Sequence, residues 1–587
     1  MLIINNMKNK HILYMACAGL IAMGSCKKDS FLNRNPLSNI SPQTFFTNET
    51  DLQTYCNQYY TNLPTQTLLR GDFNSDDKAN QTISTLLAGT YTVANSVQIT
   101  DHDLPGTGAF SAGASTIDGT GTNWIFTMIR SCNFFLANYG KAAISDSIKN
   151  IYVGETLFFR ASEYWKKVKA FGDVPYINVY ITDTSKSYLY SSRMPHAQVM
   201  DSVLSDINFA VSHLPVLPSQ TGRINKYAAL ALKARICLWE GTYRKYLPGG
   251  GDPTAYLQGA VDAAEALMNS GAFHLYSTGN TKSDYYNLFI QEDLSKNPEA
   301  ILPAQFVASI LMNDIDRQLS QNGDGYSKDF ARSFLCTDGL PASLSPLYKG
   351  DNTPDSEALN RDPRYAQEIA TRGFNLLNGD TISLPRIGTT NTSTGYQCIK
   401  GRSSSIAAYN AGASTFDFFI FRYAETLLIE TEAKAEQGLC TQAILDKTIN
   451  LLRDRAGMPH MVIASLVKDP KSDFPALPVL LDEIRRERRI ELASENFRFD
   501  DLHRWHAGPV INNPETILGM KLGPALRAQY LAIDPNSPAK NIPVDGNNYI
   551  RVYPNFTARA WDDKMYLFPI PLQEIALNPN IKQNPGW

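Results

Sequence analysis

The segment RYAETLLIETEAKAEQGLCTQAILDKTINLLRDRAG, residues 422–457, decides the fold class of this chain. Apolar and small residues recur at helical spacing over 420–437 and again over 441–455, and Gly438 separates the two stretches. Glycine favours the end of a helix because it adopts the left-handed conformation without strain. The positions expected at the contact are Ala424, Leu428, Ala433, Ala443, Ile444 and Leu452. Because small side chains let two helices approach closely, the segment predicts a packed helix pair joined by a short turn.

A second helix pair is predicted earlier in the chain. Residues 225–240 are rich in alanine, and residues 256–269 repeat small and apolar residues until Gly271. Two helices joined in this way, with alanine at the contacts, resemble a tetratricopeptide repeat. The two pairs are degenerate and lie far apart in the sequence, so they do not predict a regular solenoid.

Helical spacing also predicts helices over 42–63 and 123–171, and the second of these ends at Gly172 and Pro175. Residues 272–420 and 506–570 carry many turn signals and few periodic runs. We therefore expect a mainly α fold, in which tetratricopeptide-like helix pairs form a scaffold. Long irregular loops with a few short strands should complete it.

The sharpest local pattern lies in residues 480–505, which are predicted to form one helix. Its apolar side also carries charges, since one face includes Leu481, Ile484, Arg488, Glu491, Leu492 and Glu495. Buried charges must be paired, because an unpaired one is strongly destabilising. We interpret Arg488, Glu491 and Glu495 as a structural ion network in which Arg488 pairs with Glu491 or Glu495. The alternative is a catalytic pair of carboxylates.

The N-terminus has the features of a bacterial lipoprotein signal. Positive residues precede an apolar run over 12–23, and small residues then lead to Cys26. The run is shorter than the ~20 apolar residues that a membrane-spanning helix needs. We predict a signal peptide over 1–25, acylation of Cys26, and a polar tether over 26–41. An ordinary secretory signal or an uncleaved anchor is the alternative.

Composition argues against some partners. The net charge of −3 gives no electrostatic basis for binding nucleic acid, and the arginines of 485–489 are interleaved with acids. Beyond the signal and the acylated residue, the cysteines are Cys56, Cys132, Cys237, Cys336, Cys398 and Cys440. They form no CxxC motif, so the sequence predicts no zinc ribbon and assigns no disulfide pairing.

Short motifs occur from end to end of the chain. In order, they are the Cys26 region, Arg130–Asn133, Glu155–Ala161, Phe171–Pro175, Arg361–Arg364, Thr394–Tyr396, Arg422–Glu425, Arg453–Gly457, Glu487–Ala493, Asp501–Trp505, Pro569–Pro571 and Gln583–Trp587. Each motif alone is unspecific, whereas their shared order is specific. In this order the chain resembles the SusD/RagB family of outer-membrane nutrient-binding lipoproteins.

The resemblance implies a single SusD-like body over 42–587, with an N-terminal part at about 42–245 and a C-terminal part at about 272–587. It implies a lipid-anchored protein at the cell surface, without catalytic activity or cofactor. It also implies a TonB-dependent, SusC-like transporter barrel as partner, over which the lipoprotein acts as a lid. Typical ligands in the family are oligosaccharides, and some relatives bind peptides. The expected function is to capture oligosaccharides and deliver them to that transporter.

Candidate ligand contacts follow from the chemistry of sugars. A sugar presents apolar C–H faces and many hydroxyl groups, so tyrosine rings edged by polar side chains suit a shallow site. In the loop 70–103 and the later loops, we predict ligand contacts at Asp76, Asn80, Tyr91, Tyr286 and Tyr326. For any single tyrosine among them, packing in the core is the alternative.

Other functions stand beside carbohydrate binding. A glycoside hydrolase needs two carboxylates about 5–9.5 Å apart, whereas the neighbouring Asp76 and Asp77 point in different directions. His503 and His506 share a helical face and could bind zinc, but no third ligand is apparent in the sequence. A peptide-binding member of the family and a purely structural surface scaffold are further alternatives.

Overall fold

A computed structural model of the chain describes residues 45–63, 71–93 and 124–587, apart from 183, 219, 221, 322, 324, 376 and 389–391. The predicted signal peptide, Cys26 and the tether lie outside the described residues. The first helices are α1 Glu49–Asn57, α2 Thr127–Asn138, α3 Asp146–Phe171, α4 Lys186–Leu189, α5 His196–His213, α6 Lys226–Tyr246 and α7 Thr254–Asn269.

The C-terminal half has shorter elements. Its helices are α8 Asp284–Asn287, α9 Ile315–Gln321, α10 Lys328–Ser333, α11 Pro354–Ala358, α12 Tyr365–Glu368, α13 Ile406–Tyr409, α14 Tyr423–Glu436, α15 Gln442–Asp446, α16 Ile449–Ala456, α17 Val479–Glu491, α18 Arg498–Arg504, α19 Pro524–Ile533 and α20 Leu572–Leu577. Short 3-10 helices cover Gln58–Asn62, Tyr139–Lys141, Leu377–Gly379, Ile463–Ser465, Gly508–Asn512, Pro514–Ile517, Pro538–Lys540 and Asp563–Tyr566.

The strands are few and short. They are β1 Lys78–Ala79, β2 Ala300–Ala304, β3 Gly325–Tyr326, β4 Phe418–Arg422, β5 Leu518–Lys521 and β6 Tyr549–Arg551. They pair antiparallel as β1 with β3, β2 with β4, and β5 with β6. In the register of the first pair, Lys78 lies opposite Tyr326, so the described stretch 71–93 is tied to the C-terminal half. The mainly α fold with irregular loops and few strands is confirmed.

Both predicted helix pairs form and pack side by side, but the helix predicted over 441–455 is divided into α15 and α16 at Lys447 and Thr448. Helix α6 packs against α7, α7 packs against α14, and α14 packs against α17. The contact is tight at Gly241 of α6, where an added Cβ would lie 2.9 Å from Leu257 of α7. Arg235 of α6 also forms an ion pair of 2.6 Å with Glu425 of α14. The two helix pairs are therefore neighbours in the structure, although they lie far apart in the sequence.

The ends of several predicted helices differ from the structure. Helix α1 begins after its cap Asn48, whose side chain accepts from the Asp51 amide, so it is shorter than 42–63. The predicted helix 123–171 is divided into α2 and α3 by a 3-10 turn that contains Gly140. The predicted helix 480–505 ends at Glu491 and resumes at Arg498.

The break in the last of these helices has a backbone cause. Ser494 and Asn496 adopt φ of 65° and 68°, in the left-handed region that interrupts an α-helix. The turn places the Ser494 hydroxyl 2.6 Å from Tyr326 Oη, deep in the core. Apolar periodicity could not report this, because Leu492 and Glu495 keep the helical spacing while the chain changes direction.

Two further properties of the described residues bear on location and redox state. None of their helices is long and apolar enough to cross a membrane. The described cysteines carry free thiols: Cys56, Cys132, Cys237, Cys336, Cys398 and Cys440.

Candidate functional site

Glu491, at the end of α17, lies at the centre of a buried ion network. Its carboxylate accepts from Arg455 at 2.5 Å, from Arg422 at 2.8 Å and from Arg364 at 3.2 Å. Burial by itself would raise the pKa of Glu491, but these three guanidinium groups hold that pKa well below its usual value. Glu491 is therefore an ionised acceptor at neutral pH, which is unsuited to general acid catalysis.

The partners of the other two network residues differ from the predicted ones. Arg488 donates to Asp501 of α18 at 2.8 Å, and Glu495 accepts from Lys400 and Arg422, both at 2.7 Å. All three predicted residues are buried and ion-paired, but Arg488 pairs with neither Glu491 nor Glu495. Because α17 ends at Glu491 and other elements supply closer partners, spacing along one helix did not identify the pairs.

Asp76 belongs to a second buried network and not to a ligand surface. Its carboxylate accepts from Arg498 at 2.7 and 2.8 Å and from Arg489 at 3.0 Å. Arg489 also binds Asp77 at 2.6 Å. Burial acts to raise the pKa of Asp76, but the two arginines lower it. At Asp77, burial raises the pKa to about 6. The prediction of a ligand contact at Asp76 therefore conflicts with its full burial.

Three carboxylates close together resemble a cation site. Ligand atoms of Asp76, Asp329 and Asp473 all lie within 4.8 Å of one another. However, Arg489 donates to each of them, at 3.0, 2.7 and 3.1 Å respectively. The guanidinium group of Arg489 lies where these carboxylates would hold a metal ion, so the cluster is a structural ion network. The adjoining cavity of about 30 Å³ is lined by Arg485 and has room for water rather than a sugar ring.

The histidine pair is also structural. His503 is buried, and its Nε2 donates to the carbonyl oxygen of Tyr566. Burial lowers the pKa of His503 to about 4, so its ring is neutral at physiological pH. The His506 ring stacks on Tyr566 with 4.0 Å between the ring centroids. With Nε2 of His503 already bonded, the pair does not offer two free nitrogens for zinc.

Two of the predicted ligand tyrosines lie in the core. Tyr326 is fully buried, and its hydroxyl bonds Glu368 at 2.5 Å and Ser494 at 2.6 Å. Tyr91 is 4% exposed and packs edge-on against Trp587 with centroids 5.5 Å apart. Neither ring therefore offers a face to a sugar. The sequence did not predict this, because the loop-like residues around a tyrosine do not show whether the loop folds back onto the core.

The remaining candidates, Asn80 and Tyr286, are half-buried; Asn80 follows β1, and Tyr286 lies in the short helix α8. The Asn80 amide donates to Tyr553 Oη at 3.0 Å, and its side-chain oxygen accepts from Gln81 at 2.7 Å. Tyr286 donates from its hydroxyl to the carbonyl of Arg402 at 2.5 Å. The structure therefore does not bring the five predicted residues together into one site.

A different group of side chains gathers around Tyr286. We call it the loop face: Tyr286, Asp316, Gln321, Phe374, Arg402 and Tyr409. Tyr286 and Phe374 meet edge-to-face with centroids 5.9 Å apart. Gln321 of α9 donates to the hydroxyl of Tyr409 of α13, which joins the two helices.

The loop face has the chemical character that a sugar requires. Phe374 and Tyr409 are partly exposed, so their rings can take part in stacking on C–H faces. Asp316 accepts from the amide and hydroxyl of Ser403 at 2.9 and 2.6 Å, which orients its carboxylate. Phe374, Tyr409 and Asp316 were not predicted; aromatic residues within the Gly-, Ser- and Asn-rich stretches 372–380 and 402–412 were the available signal.

Comparison with known proteins gives family matches over most of the chain. A sequence model of the SusD family matches residues 265–587. A second model, described as starch-binding and associating with the outer membrane, matches residues 30–238. SusD-like protein P2 of Formosa agariphila is 24% identical over 95% of this chain and 96% of its own length. SusD-like protein P38 of the same organism is 26% identical over 62% of this chain and 68% of its own length.

Solved structures share the fold. A SusD-like carbohydrate-binding protein of Bacteroides fragilis NCTC 9343 is similar with a TM-score of 0.70 and 23% identity, over 92% of this chain and all of that one. A laminarin-binding SusD-like protein is similar with a TM-score of 0.54 and 20% identity, over 92% of this chain and all of that one. At these identities the likeness shows a common fold.

Proposed function

Because the chain belongs to the SusD family, we propose that it captures oligosaccharides at the cell surface and delivers them to a TonB-dependent transporter of the outer membrane. The observation that carries this proposal is the loop face, where the rings of Phe374 and Tyr409 are partly exposed and Phe374 lies beside Arg402. Aromatic rings accept the apolar faces of sugars, and fixed polar groups select their hydroxyl groups. Two solved relatives named as carbohydrate-binding and laminarin-binding support the ligand class.

The interior supports binding without chemical change. The buried carboxylates considered for hydrolysis, such as Glu491 and Asp76, are each paired with two or more arginines. A glycosidase needs one carboxyl group that stays protonated beside a second that is ionised, both facing the substrate. Among the described residues of the loop face, Asp316 is the single carboxylate.

Lipid anchoring and the transporter partner complete the proposal. Acylation of Cys26 would tether the body to the outer membrane, where two or more acyl chains make an anchor stable. The family description that matches residues 30–238 names association with the outer membrane. The transporter would take up the ligand that the lipoprotein holds above it.

Calorimetry against a panel of neutral and acidic oligosaccharides tests the ligand. We expect Kd values in the micromolar range or weaker, because a shallow sugar site desolvates many hydroxyl groups for each stacking contact. Phe374→Ala and Tyr409→Ala should each weaken binding about tenfold. Tyr190→Ala is the control, since Tyr190 is 49% exposed and is not part of the loop face.

Chromatography of the incubated sugars tests the second half of the proposal. Unchanged sugars are expected, and shortened products would establish a hydrolase instead. Binding of peptides without binding of any sugar would identify a peptide receptor of the same family. Failure to bind either ligand class would leave a structural scaffold as the better description. Equal loss of affinity in Tyr190→Ala would move the site away from the loop face.

A further inference from the structure

Arg402, on the loop face, is an exception among the buried arginines. Its side chain is almost fully enclosed, yet Nε and Nη1 have no hydrogen-bond acceptor. Every other buried arginine of the described residues donates to a carboxylate or a carbonyl oxygen. No described carboxylate lies within ion-pair distance of Arg402.

The surroundings of Arg402 do not neutralise it. Its guanidinium carbon lies 5.7 Å from the centroid of the Phe374 ring. Burial lowers the pKa of Arg402, Asp316 raises it, and a second cation, Arg386, lowers it again. Arg386 is half-buried and forms no ion pair with any described residue. The loop face and its border therefore hold two cations against one acid.

Asp316 does not use both of its carboxylate oxygens. Oδ2 accepts from Ser403, whereas the buried Oδ1 has no partner. Unused donors on Arg402 thus accompany an unused acceptor on Asp316, and the two side chains are too far apart for an ion pair. A ligand that bonds both groups must carry an acceptor for the guanidinium group and a donor for the carboxylate.

A buried guanidinium group without an acceptor is costly, and its planar fork matches two oxygens of one anionic group. We propose that Arg402, assisted by Arg386, binds the anionic group of an acidic oligosaccharide, either a uronic acid carboxylate or a sulfate ester. A hydroxyl group of the same sugar donates to Asp316 Oδ1. This inference rests on the proposed function and narrows its ligand class, because a neutral sugar supplies no counter-charge for the two arginines.

The binding test uses matched pairs of ligands. One pair is an oligogalacturonide and its carboxyl-reduced form, and the other is a sulfated oligosaccharide and its desulfated form. We expect the wild-type protein to bind the acidic member of one pair at least tenfold more tightly, and that pair identifies the anionic group. Arg402→Gln should abolish the preference by lowering the affinity for the acidic member at least tenfold. Arg386→Gln should reduce the preference in part.

Arg372→Gln is the matched control, because Arg372 lies near Phe374 in the sequence but is exposed and paired with Asp355 at 2.8 Å. It should keep the full preference for the acidic sugar. Equal binding of acidic and neutral members by the wild-type protein, or an unchanged preference in Arg402→Gln, would overturn the inference.

Thermal melting separates a binding role from a structural one. Removing an uncompensated buried cation should leave the Tm of unliganded Arg402→Gln equal to or above that of the wild-type protein. A lower Tm would instead assign Arg402 to the core. If no oligosaccharide binds at all, the proposed function fails. Thermal melting with galacturonate or inorganic sulfate then tests the anion site. A rise in Tm with either anion in the wild-type protein alone supports the site, and equal rises in both proteins refute it.

Discussion

At the residue scale, the interior of the C-terminal half depends on charges that are paired between distant segments. The Glu491 carboxylate accepts hydrogen bonds from three arginines, one in the loop before α12, one in β4 and one in α16. Each of these residues is buried. In such a network the energetic cost of removing one member exceeds the value of any one contact, because the remaining charges lose their counter-charge.

Replacing Glu491 with glutamine should lower the free energy of unfolding by about 3–5 kcal/mol, because three buried guanidinium groups would lose one anion. Denaturant unfolding followed by circular dichroism measures the change. Asp355→Asn is the control: Asp355 is 52% exposed in its pair with Arg372, and such surface pairs contribute about 0–1 kcal/mol. A folded Glu491→Gln protein of unchanged stability that fails to bind its ligand would instead point to a chemical role.

Asp473 makes stability depend on pH. Burial and the neighbouring Asp329 raise its pKa to about 7, although Arg489 and Arg332 oppose the shift. A carboxyl group with a raised pKa in the folded state binds a proton more tightly there than in the unfolded chain. Its contribution to stability is therefore fully present below about pH 4 and is lost as the pH rises through about 7.

The side chain introduced in the Asp473→Asn protein cannot ionise. The free energy of unfolding of this variant, relative to that of the wild-type protein, should therefore rise by about 2 kcal/mol from pH 5 to pH 8. Denaturant unfolding of both proteins at the two pH values gives this difference. Asp469→Asn is the control, because Arg486 and neighbouring donors lower the pKa of Asp469 and it stays ionised throughout this range. A constant difference between Asp473→Asn and the wild-type protein would show that Asp473 titrates below pH 5.

At the scale of elements, the helix pairs owe their close packing to small residues. Gly241 of α6 faces Leu257 of α7, and Gly259 of α7 faces Cys237 of α6, where an added Cβ would lie 3.1 Å from the sulfur. A helix normally loses stability by containing glycine, by about 1 kcal/mol relative to alanine. Here the loss is offset because the two backbones approach closely.

Gly241→Val should destabilise the protein by about 1–3 kcal/mol, since its side chain would meet both the side chain and the backbone of Leu257. Thermal and denaturant unfolding measure the loss. Gly140→Val is the control, because no atom lies within 4 Å of a Cβ added at Gly140. Equal effects of the two substitutions would mean that the helix pair separates without cost, contrary to the packing described above.

At the scale of the whole molecule, the helices serve as a base for loops from distant parts of the sequence. Residues 315–321, 372–386 and 402–409 meet at the loop face, although none of these stretches has a regular element longer than two turns. The paired strands β1 and β3 fasten the early loop at residues 71–80 to the same half of the molecule.

The location of the whole molecule is predicted to depend on one residue outside the described part of the chain. Cys26→Ala should remove acylation and release the protein from the membrane fraction, because the acyl chains on this residue are the predicted membrane anchor. Fractionation of cells that express each form, followed by immunoblotting, measures the release. Cys440→Ala is the control, since this half-buried thiol lies far along the folded body. Firm membrane retention of Cys26→Ala would contradict the lipoprotein prediction.

Prediction from the sequence succeeded where local periodicity is sufficient. The helix predicted over 256–269 forms as Thr254–Asn269, and that predicted over 420–437 forms as Tyr423–Glu436. It was wrong at residues 492–497, where left-handed Ser494 and Asn496 interrupt a pattern that still has helical spacing. Periodicity records which side chains are buried, but it does not record the backbone turn that brings them there.

The candidate site was less predictable than the fold. Asp76 and Tyr326 were chosen because they lie in polar or glycine-rich stretches, yet both are buried and bonded to partners more than 150 residues away in the chain, Arg498 and Ser494 respectively. Tyr286 is the predicted tyrosine that reaches the loop face, where Phe374 and Tyr409 accompany it. Which loop residues stay at the surface depends on tertiary contacts that a single sequence does not contain.

By itself, the sequence determined the helix pairs, the mainly α class and the family, because each rests on local spacing or on the order of short motifs. The tertiary structure alone decided the partners of the buried charges, the separation of core tyrosines from the loop face, and the isolation of Arg402. The physical reason is the separation along the chain over which each effect acts. Helical spacing acts over a few residues, whereas ion pairing and desolvation depend on atoms that only the folded chain brings within a few ångströms.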